Sequence, residues 1–95
     1  MFIIELTYTA PNDQIDQYLS EHRIFLERYY AAGKFFASGP QVPRQGGIIL
    51  AQASSKEEIS RIIAEDPFHR HELANYRIIE FVASKKANNI QDLIA

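Results

Sequence analysis

The sequence FIIELTYT at residues 2–9 is the stretch that decides the fold class, because its side chains alternate between two faces. One face holds Phe2, Ile4, Leu6 and Tyr8, and the other holds Ile3, Glu5, Thr7 and Thr9. A period of two is typical of a β-strand. The residues Pro11-Asn12-Asp13 then end the strand and offer an N-cap for a helix.

Outward from this strand, helices and strands follow in the order βαββαβ. We expect a long helix over 13–32 with Gly33 as its C′ residue, then a strand over 34–38 that ends in the turn Gly39-Pro40. A loop over 41–47 and a strand over 47–53 come next. Ser54 or Ser55 forms a capping box with Glu57 or Glu58, and the helix that it opens ends before Asp66-Pro67. The last strand covers 75–82.

This order predicts a ferredoxin-like α+β domain over residues 1–83, with both helices on one face of an antiparallel sheet. Several strands carry apolar side chains on both faces, for example Ile3 beside Ile4 and Ile79 beside Ile78. A sheet that is apolar on both sides needs a second cover. We therefore expect a homodimer packed through its sheet faces. The alternative is that the tail, residues 84–95, folds back over the sheet as a short helix, since it has apolar residues at helical spacing: Ile90, Leu93 and Ile94.

The composition is that of one small globular domain, with 95 residues of which 46% are hydrophobic and 23% are charged. A net charge of −2 disfavours a nucleic-acid partner, because such proteins are usually basic. The chain has no cysteine, which excludes disulfides and thiolate metal sites within it. Neither a signal-peptide pattern nor an apolar run of membrane-spanning length is present, so we expect a cytoplasmic protein without a membrane partner.

A histidine lies in the middle of the apolar stripe of the first helix. At about 100° per residue, the stripe contains Ile15, Tyr18, Leu19, His22, Phe25, Leu26, Tyr29 and Tyr30. A buried histidine must find a hydrogen-bond partner, or its desolvation costs free energy. One interpretation of His22 is a core residue that a backbone carbonyl or a tyrosine satisfies. The other is a pocket residue with a polar partner.

Topology offers such a partner at one edge of the domain. The second strand and the second helix end at the same edge, which brings together Ser38-Gly39-Pro40 and Asp66-Pro67-Phe68. Asp66 would lie just past a helix C-terminus, where the dipole disfavours a carboxylate, so a histidine or arginine partner is expected. The alternative is an Asx-type helix stop before proline. His22 lies roughly 13 Å along its helix, so the two residues meet only if the Asp66 loop dips inward or if the partner comes from another subunit.

A pair formed by His22 and Asp66 would suit proton transfer, because the carboxylate fixes the imidazole tautomer and leaves the second nitrogen to move a proton. Ser38 lacks the Gly-x-Ser-x-Gly surroundings of a hydrolase nucleophile, so we expect it to bind ligand. The backbone amide of Gly39 is a candidate anion contact beside it.

The sequence His69-Arg70-His71 is open to three interpretations: a metal pair without an evident third ligand, exposed polar residues, or a cationic patch that attracts anions. We expect exposed residues, no metal site and no cofactor. The loop over 41–47 is long enough to act as a lid, although a simple connection fits equally well.

The mid-helix His22, Ser38-Gly39-Pro40 after the second strand and Asp66-Pro67-Phe68 after the second helix together resemble the YciI-like, or YCII-related, family. The resemblance covers residues 1 to about 82. It implies a dimeric α/β barrel of ferredoxin-like subunits, similar in architecture to muconolactone isomerase. It also implies His22 and Asp66 as the catalytic pair, with Gly39 and Pro40 lining the pocket.

One branch of that family resembles a dehydrochlorinase of a chlorinated hydroxyhydroquinone, which does not identify the substrate here. The segment 69–72 is more charged than the family pattern leads us to expect.

Three functions are consistent with these patterns. The leading hypothesis is a cofactor-independent lyase, isomerase or hydrolase in which His22 shuttles a proton and Asp66 orients it. Its substrate would be a small organic molecule, with cyclic compounds among the candidates, bound near Ser38, Gly39, Pro40 and Phe68. The competing hypothesis is a non-catalytic dimer that binds a small ligand or an enzyme. A third is metal binding through His22 with His69 or His71.

Overall fold

The computed structural model describes residues 1–90 and shows a four-stranded antiparallel sheet with helices on one face. In chain order the elements are β1 (Phe2–Tyr8), α1 (Asn12–Gln17), α2 (Leu19–Ala31), β2 (Phe35–Pro40), β3 (Gly46–Ala51), α3 (Lys56–Ile63), α4 (Pro67–Arg70) and β4 (Ala74–Glu80). The strand order is β2-β3-β1-β4, so β1 pairs with both β3 and β4. The predicted ferredoxin-like α+β fold is confirmed.

The helix side of the sheet holds the core. Phe2, Ile4 and Leu6 of β1 are buried there. The helices contribute apolar residues to the same layer, namely Ile15, Phe25, Ile59, Ile62 and Ile63. The side chains that the period-two pattern of β1 and the apolar face of the second predicted helix assign to the core are therefore the ones that are buried.

The opposite face of the sheet is open and apolar in part, with Glu5 and Arg77 paired beside its apolar residues. Ile3 pairs with Leu50 and with Ile79 in the sheet register, and all three side chains are only partly buried. Phe81, just beyond β4, is 41% exposed. The prediction that the sheet carries apolar residues on both faces is thus confirmed for residues 1–90.

The predicted continuous helix over 13–32 is wrong, because the chain forms two helices that meet at Tyr18. Tyr18 has φ −110° and ψ 8°, outside helical geometry, and its N–H bonds to the carbonyl of Ile15 in a tightened turn. The second helix still ends as expected, with Gly33 in the left-handed region at φ 73°.

The predicted turn at Gly39-Pro40 is also wrong, since both residues extend β2 and pair with Ile48 and Gly47. A proline is tolerated there because β2 is an edge strand, where a missing N–H need not break the sheet. The chain reverses over 41–45 instead, and β3 begins at Gly46. A Cβ at Gly46 would lie 1.7 Å from the carbonyl oxygen of Leu6, so only glycine allows β3 to approach β1 here.

Helix α3, the second helix predicted from the sequence, begins at the predicted cap. Ser55 is the N-cap, and its hydroxyl oxygen accepts the Glu58 N–H at 3.1 Å. The Glu58 carboxylate reaches back and accepts the Ser54 N–H at 2.9 Å, so both serines take part. After α3 the chain forms α4, a short helix that the sequence pattern does not predict.

Within residues 1–90, no helix combines the length and the apolar character needed to cross a bilayer. The predicted docking helix of the tail depends on Leu93 and Ile94, which lie outside the described residues.

Candidate active site

A cavity of about 420 Å³ opens between α2, the helix side of the sheet and α4. A volume of this size is typical of small-molecule sites. Its walls combine an apolar surface with a few polar groups. They are formed by Leu6, Tyr8, Asp16, Leu19, His22, Arg23, Leu26, Ser38, Gly39, Pro40, Arg44, Gly47, Ile48, Ile49 and Phe68.

His22 lies on the second turn of α2 and lines this cavity. Its Nδ1 is 2.9 Å from Oδ1 of Asp66, and the two side chains are 12% and 0% exposed. Because a carboxylate oxygen only accepts, Nδ1 carries the hydrogen and donates it. Nε2 has no hydrogen-bond partner within the described chain, so it is the nitrogen that a ligand in the cavity can reach.

The carboxylate of Asp66 accepts three hydrogen bonds. Besides His22, the backbone N–H of Phe68 donates to Oδ1 at 3.0 Å, and the hydroxyl of Tyr76 donates to Oδ2 at 2.6 Å. A buried charge needs such partners, because an unpaired one costs several kcal/mol, on the order of the desolvation penalty. Within the described residues, no buried side-chain polar atom lacks a partner.

Asp66 lies just past the C-terminus of α3 and has a histidine partner, as expected, but the sequence pattern does not predict that it also begins the next helix. Asp66 is the N-cap of α4, and its carboxylate caps the first turn of that helix. The two interpretations of Asp66, an Asx-type turn before proline and a histidine partner, are therefore compatible, because Oδ1 accepts from both the Phe68 N–H and His22. The chain turns inward between α3 and α4, which brings Asp66 to His22 within one subunit and removes the difficulty posed by the distance along the helix.

Tyr76 on β4 is the partner that the sequence does not reveal. Burial raises the pKa of its hydroxyl, and the negative charge of Asp66 together with their hydrogen bond raises it further. The hydroxyl therefore keeps its proton and remains a donor. The alternation of β4 places Tyr76 beside Ile78 on one face, but nothing local to the strand shows that it meets Asp66.

Phe68 packs flat against the imidazole of His22. The ring centroids are 4.2 Å apart and the planes differ by 10°. Since Phe68 follows Asp66 by two residues, the same turn supplies both the carboxylate and the aromatic face that hold the imidazole. The ring of His22 is thereby fixed in position as well as in tautomer.

Ser38, Gly39 and Pro40 line the cavity from the end of β2. The Ser38 hydroxyl lies 2.7 Å from the hydroxyl of Tyr30, and either group can donate. Tyr30 belongs to the predicted apolar stripe of the first helix. Its contact with the Ser38 hydroxyl depends on the packing of α2 against β2, which the sequence pattern does not predict. Of the two, Ser38 lines the cavity, and its hydroxyl can donate to a ligand or accept from it.

The rim of the cavity carries charge. Arg44 of the 41–45 loop donates to Oδ1 of Asp16 at 2.7 Å, and its guanidinium lies 5.7 Å from the ring centre of Tyr8. The hydrogen bond to Asp16 raises the pKa of Arg44. The loop is thus tied to α1 across the rim, which neither the lid nor the simple-connection interpretation predicts. Arg23 of α2 also lines the cavity.

His69 and His71 are exposed, as expected, and lie on α4 and at its C-cap. His71 stacks on Tyr18 with 4.2 Å between ring centres, and His69 meets Tyr76 edge-on at 5.5 Å. Across residues 1–90, the structure contains no group of three or more His, Cys, Asp or Glu side chains arranged to hold a metal ion.

Two comparisons with known proteins place this geometry in context. The family model of the YCII-related domain matches residues 1–82. The fold is similar to that of 5-chloro-2-hydroxyhydroquinone dehydrochlorinase (TftG) from Burkholderia phenoliruptrix AC1100, solved in complex with 2,5-dihydroxybenzoquinone. That similarity has a TM-score of 0.69 at 20% sequence identity, and covers 86% of this chain and 94% of the other. No curated protein matches the sequence.

At 20% identity the dehydrochlorinase supports the fold alone. The family match is stronger evidence, because it spans most of the chain and includes all three motifs that carry the resemblance. The chain therefore belongs to the YCII-related family.

Proposed function

We propose that the protein is a cofactor-independent enzyme in which His22 transfers a proton to or from a small cyclic organic substrate. The observation that carries this proposal is the hydrogen bond from Nδ1 of His22 to the fully buried Asp66. That bond assigns the tautomer and leaves Nε2 for the substrate. The reaction class is an elimination, an isomerisation or a hydrolysis, since each needs a proton moved by a positioned base.

The roles of the surrounding residues follow from their contacts. Nε2 of His22 accepts a proton, and the positive charge then formed on the ring lies next to the Asp66 carboxylate, which stabilises it. Asp66 and Tyr76 act as positioning residues, because they reach the substrate only through His22. The Ser38 hydroxyl, which is hydrogen-bonded to Tyr30, would bind an oxygen of the substrate. Phe68 would limit how far the imidazole can turn.

The comparisons support a small cyclic substrate only in outline. The dehydrochlorinase of similar fold acts, by its name, on a chlorinated and hydroxylated ring. A cavity of about 420 Å³ with mostly apolar walls is suited to one ring of that size. The alternative function, a module that binds a small ligand without chemistry, would use the same cavity, but it does not require a fixed histidine tautomer.

The test is to find a ligand and then replace the histidine. A thermal-shift screen of small organic acids, lactones and hydroxylated quinones identifies ligands, because binding to the folded state raises its stability. Turnover of each hit is then measured with wild type, His22→Asn and His71→Asn. Asparagine at position 22 can still donate to Asp66, so the fold should be kept, and His71 is a matched control because it also stacks on an aromatic ring.

We expect His22→Asn to lower kcat by about 10²- to 10⁴-fold and His71→Asn to leave it unchanged. Equal kcat in wild type and His22→Asn would contradict the proposal. Tight binding without turnover by the wild type would favour the non-catalytic module.

We further propose that two copies pack through the open sheet face to give the dimeric barrel. The support is the apolar surface of Ile3, Leu50 and Ile79, which a second sheet would bury. The change Leu50→Glu should convert a dimer into a monomer in sedimentation velocity, whereas Ile24→Glu, an exposed position on the helix side, should not. A monomeric wild type would contradict the proposal.

A cytoplasmic location stays a prediction from the sequence.

A further inference from the structure

The charged residues that line the cavity do not balance. They are Asp16, Arg23 and Arg44, in addition to the titratable His22. Asp66 does not line the cavity: it is fully buried behind the imidazole, and three donors occupy its oxygens. Asp16 and Arg44 neutralise each other at 2.7 Å. One positive charge therefore remains on the walls, that of Arg23.

Arg23 is available to a ligand. Within residues 1–90, its guanidinium forms neither an ion pair nor a side-chain hydrogen bond, whereas Arg44, the other arginine that lines the cavity, is paired with Asp16. Its position on α2 also matters, because Leu19 and Leu26 lie four residues before and three residues after it. Residues at these spacings lie on one side of a helix, and all three line the cavity.

An arginine between two leucines on a cavity wall suits one class of ligand. A guanidinium binds carboxylate and other oxyanions through a fork of N–H donors, and the bonds are stronger than those between neutral groups. The adjoining leucines and the ring of Phe68 offer no polar partner, so the part of the ligand that lies against them should be an apolar surface such as the face of a ring. Arg23 is exposed, so water solvates it in the absence of a ligand, and a monoanion gains one charge-assisted contact that a neutral ligand lacks. A dianion would exceed the single unpaired guanidinium on the walls.

We infer that the cavity selects a monoanionic ring compound, a carboxylate or phenolate, whose charged group binds Arg23 and whose ring lies against Leu19 and Leu26. The inference rests on the proposed function, because it takes this cavity to be the substrate site. It goes further by assigning the charge of the substrate and the residue that recognises it. His22, one residue before Arg23 on α2, then faces the ring from the same wall.

The experiment compares two probes of equal shape, benzoate and benzamide, by NMR titration of the full chain. Each probe is titrated into wild type, Arg23→Gln and Arg61→Gln. Arg61 is the matched control, because it is an exposed arginine on α3 that does not line the cavity. A second variant, Asp16→Asn, removes the counter-charge of Arg44 and so adds a free cation to the rim.

Wild type and Arg61→Gln should bind benzoate at least about tenfold more tightly than benzamide, as expected for one charge-assisted contact. Arg23→Gln should lose this preference, and Asp16→Asn should increase it. Equal affinity for the two probes in wild type, no binding of either, or a preference that persists in Arg23→Gln would overturn the inference. These outcomes are independent of kcat. If wild type prefers benzoate but kcat is unchanged in His22→Asn, the proposed function is refuted and the assignment of the ligand charge still holds.

Discussion

Two clusters in this molecule have the same three kinds of side chain but differ in burial. The buried cluster consists of Asp66, His22 and Tyr76, and the rim cluster consists of Asp16, Arg44 and Tyr8. Each joins a carboxylate to a nitrogen donor and a tyrosine. Asp66 is 0% exposed and accepts three hydrogen bonds, whereas the Asp16 side chain is 52% exposed and pairs with one arginine.

The difference shows how burial changes what an ion pair does. Water solvates whatever Arg44 leaves unpaired on Asp16, so that contact can open at little cost. No water reaches Asp66, so each of its donors is needed, and the imidazole that it holds cannot turn freely. Burial therefore makes the Asp66 cluster a rigid support for the imidazole, whereas the Asp16–Arg44 contact is free to open and close.

The largest effect should come from removing the buried carboxylate. Asp66→Ala leaves the Nδ1–H of His22, the Phe68 N–H and the Tyr76 hydroxyl without their acceptor. We expect the free energy of unfolding to fall by about 3–5 kcal/mol, measured by urea denaturation. Asp66→Asn keeps one acceptor and should lose less. If both variants unfold like the wild type, the buried cluster does not stabilise the fold.

A smaller effect is expected for Tyr76→Phe, which removes one donor and keeps the ring. A hydrogen bond to a charged group contributes about 1.5–3 kcal/mol, and the loss should appear as a lower free energy of unfolding. Because Tyr76 acts through Asp66, the ¹⁵N shifts of His22 should also show a less uniform tautomer. Tyr18→Phe is the control, since Tyr18 stacks on the exposed His71. A tautomer unchanged in Tyr76→Phe would show that Tyr76 does not position the histidine.

The rim cluster should respond weakly to the corresponding change. We expect Arg44→Gln to lower the free energy of unfolding by less than about 1 kcal/mol, and high salt should reduce the difference further, since exposed charges are screened. Calorimetry at low and high salt measures both quantities. A loss as large as that of Asp66→Ala would mean that the rim is as tightly coupled to the fold as the buried cluster.

Glu58 tests whether the number of hydrogen-bond donors stabilises a carboxylate without full burial. It is partly exposed, yet it accepts hydrogen bonds from Ser54 and pairs with Lys34. The Ser54 backbone N–H, then Lys34 and the Ser54 hydroxyl, lower the pKa of Glu58 from 4.5 to about 2. Since the pKa is lower in the folded state, the stabilisation is fully present above pH 4.5 and is lost as the pH falls toward 2. The stability difference between wild type and Glu58→Gln should therefore shrink across that interval in thermal unfolding at stepped pH. A constant difference would mean that charge plays no part.

Much of the fold could be predicted from local pattern. Period-two alternation placed Phe2, Ile4 and Leu6 in the core, and the serine-glutamate pattern located the start of α3. The errors lie where long-range contacts outweigh local preference. Gly39-Pro40 has the composition of a turn, yet pairing with β3 keeps it extended.

The candidate site was predictable in part. His22 stood out because a polar residue interrupts an apolar stripe, and that signal depends only on helix geometry. Asp66 was a candidate because topology brings its turn to the same edge of the domain. Arg23, Tyr30 and Tyr76 gave no comparable signal, since an exposed arginine or a tyrosine on an apolar face is ordinary in any sequence.

The sequence by itself determined the βαββαβ frame, the faces that its main strands and helices bury and the presence of one histidine that needs a partner, but neither the break at Tyr18 nor the short helix α4. Only the tertiary structure decided which partner it has. His22 and Asp66 are 44 residues apart in the chain, and their contact depends on an inward turn between α3 and α4 that also caps the second of these helices. Periodicity reflects the spacing of neighbours along one element, whereas a buried hydrogen bond depends on how separate elements pack, to within a fraction of an ångström.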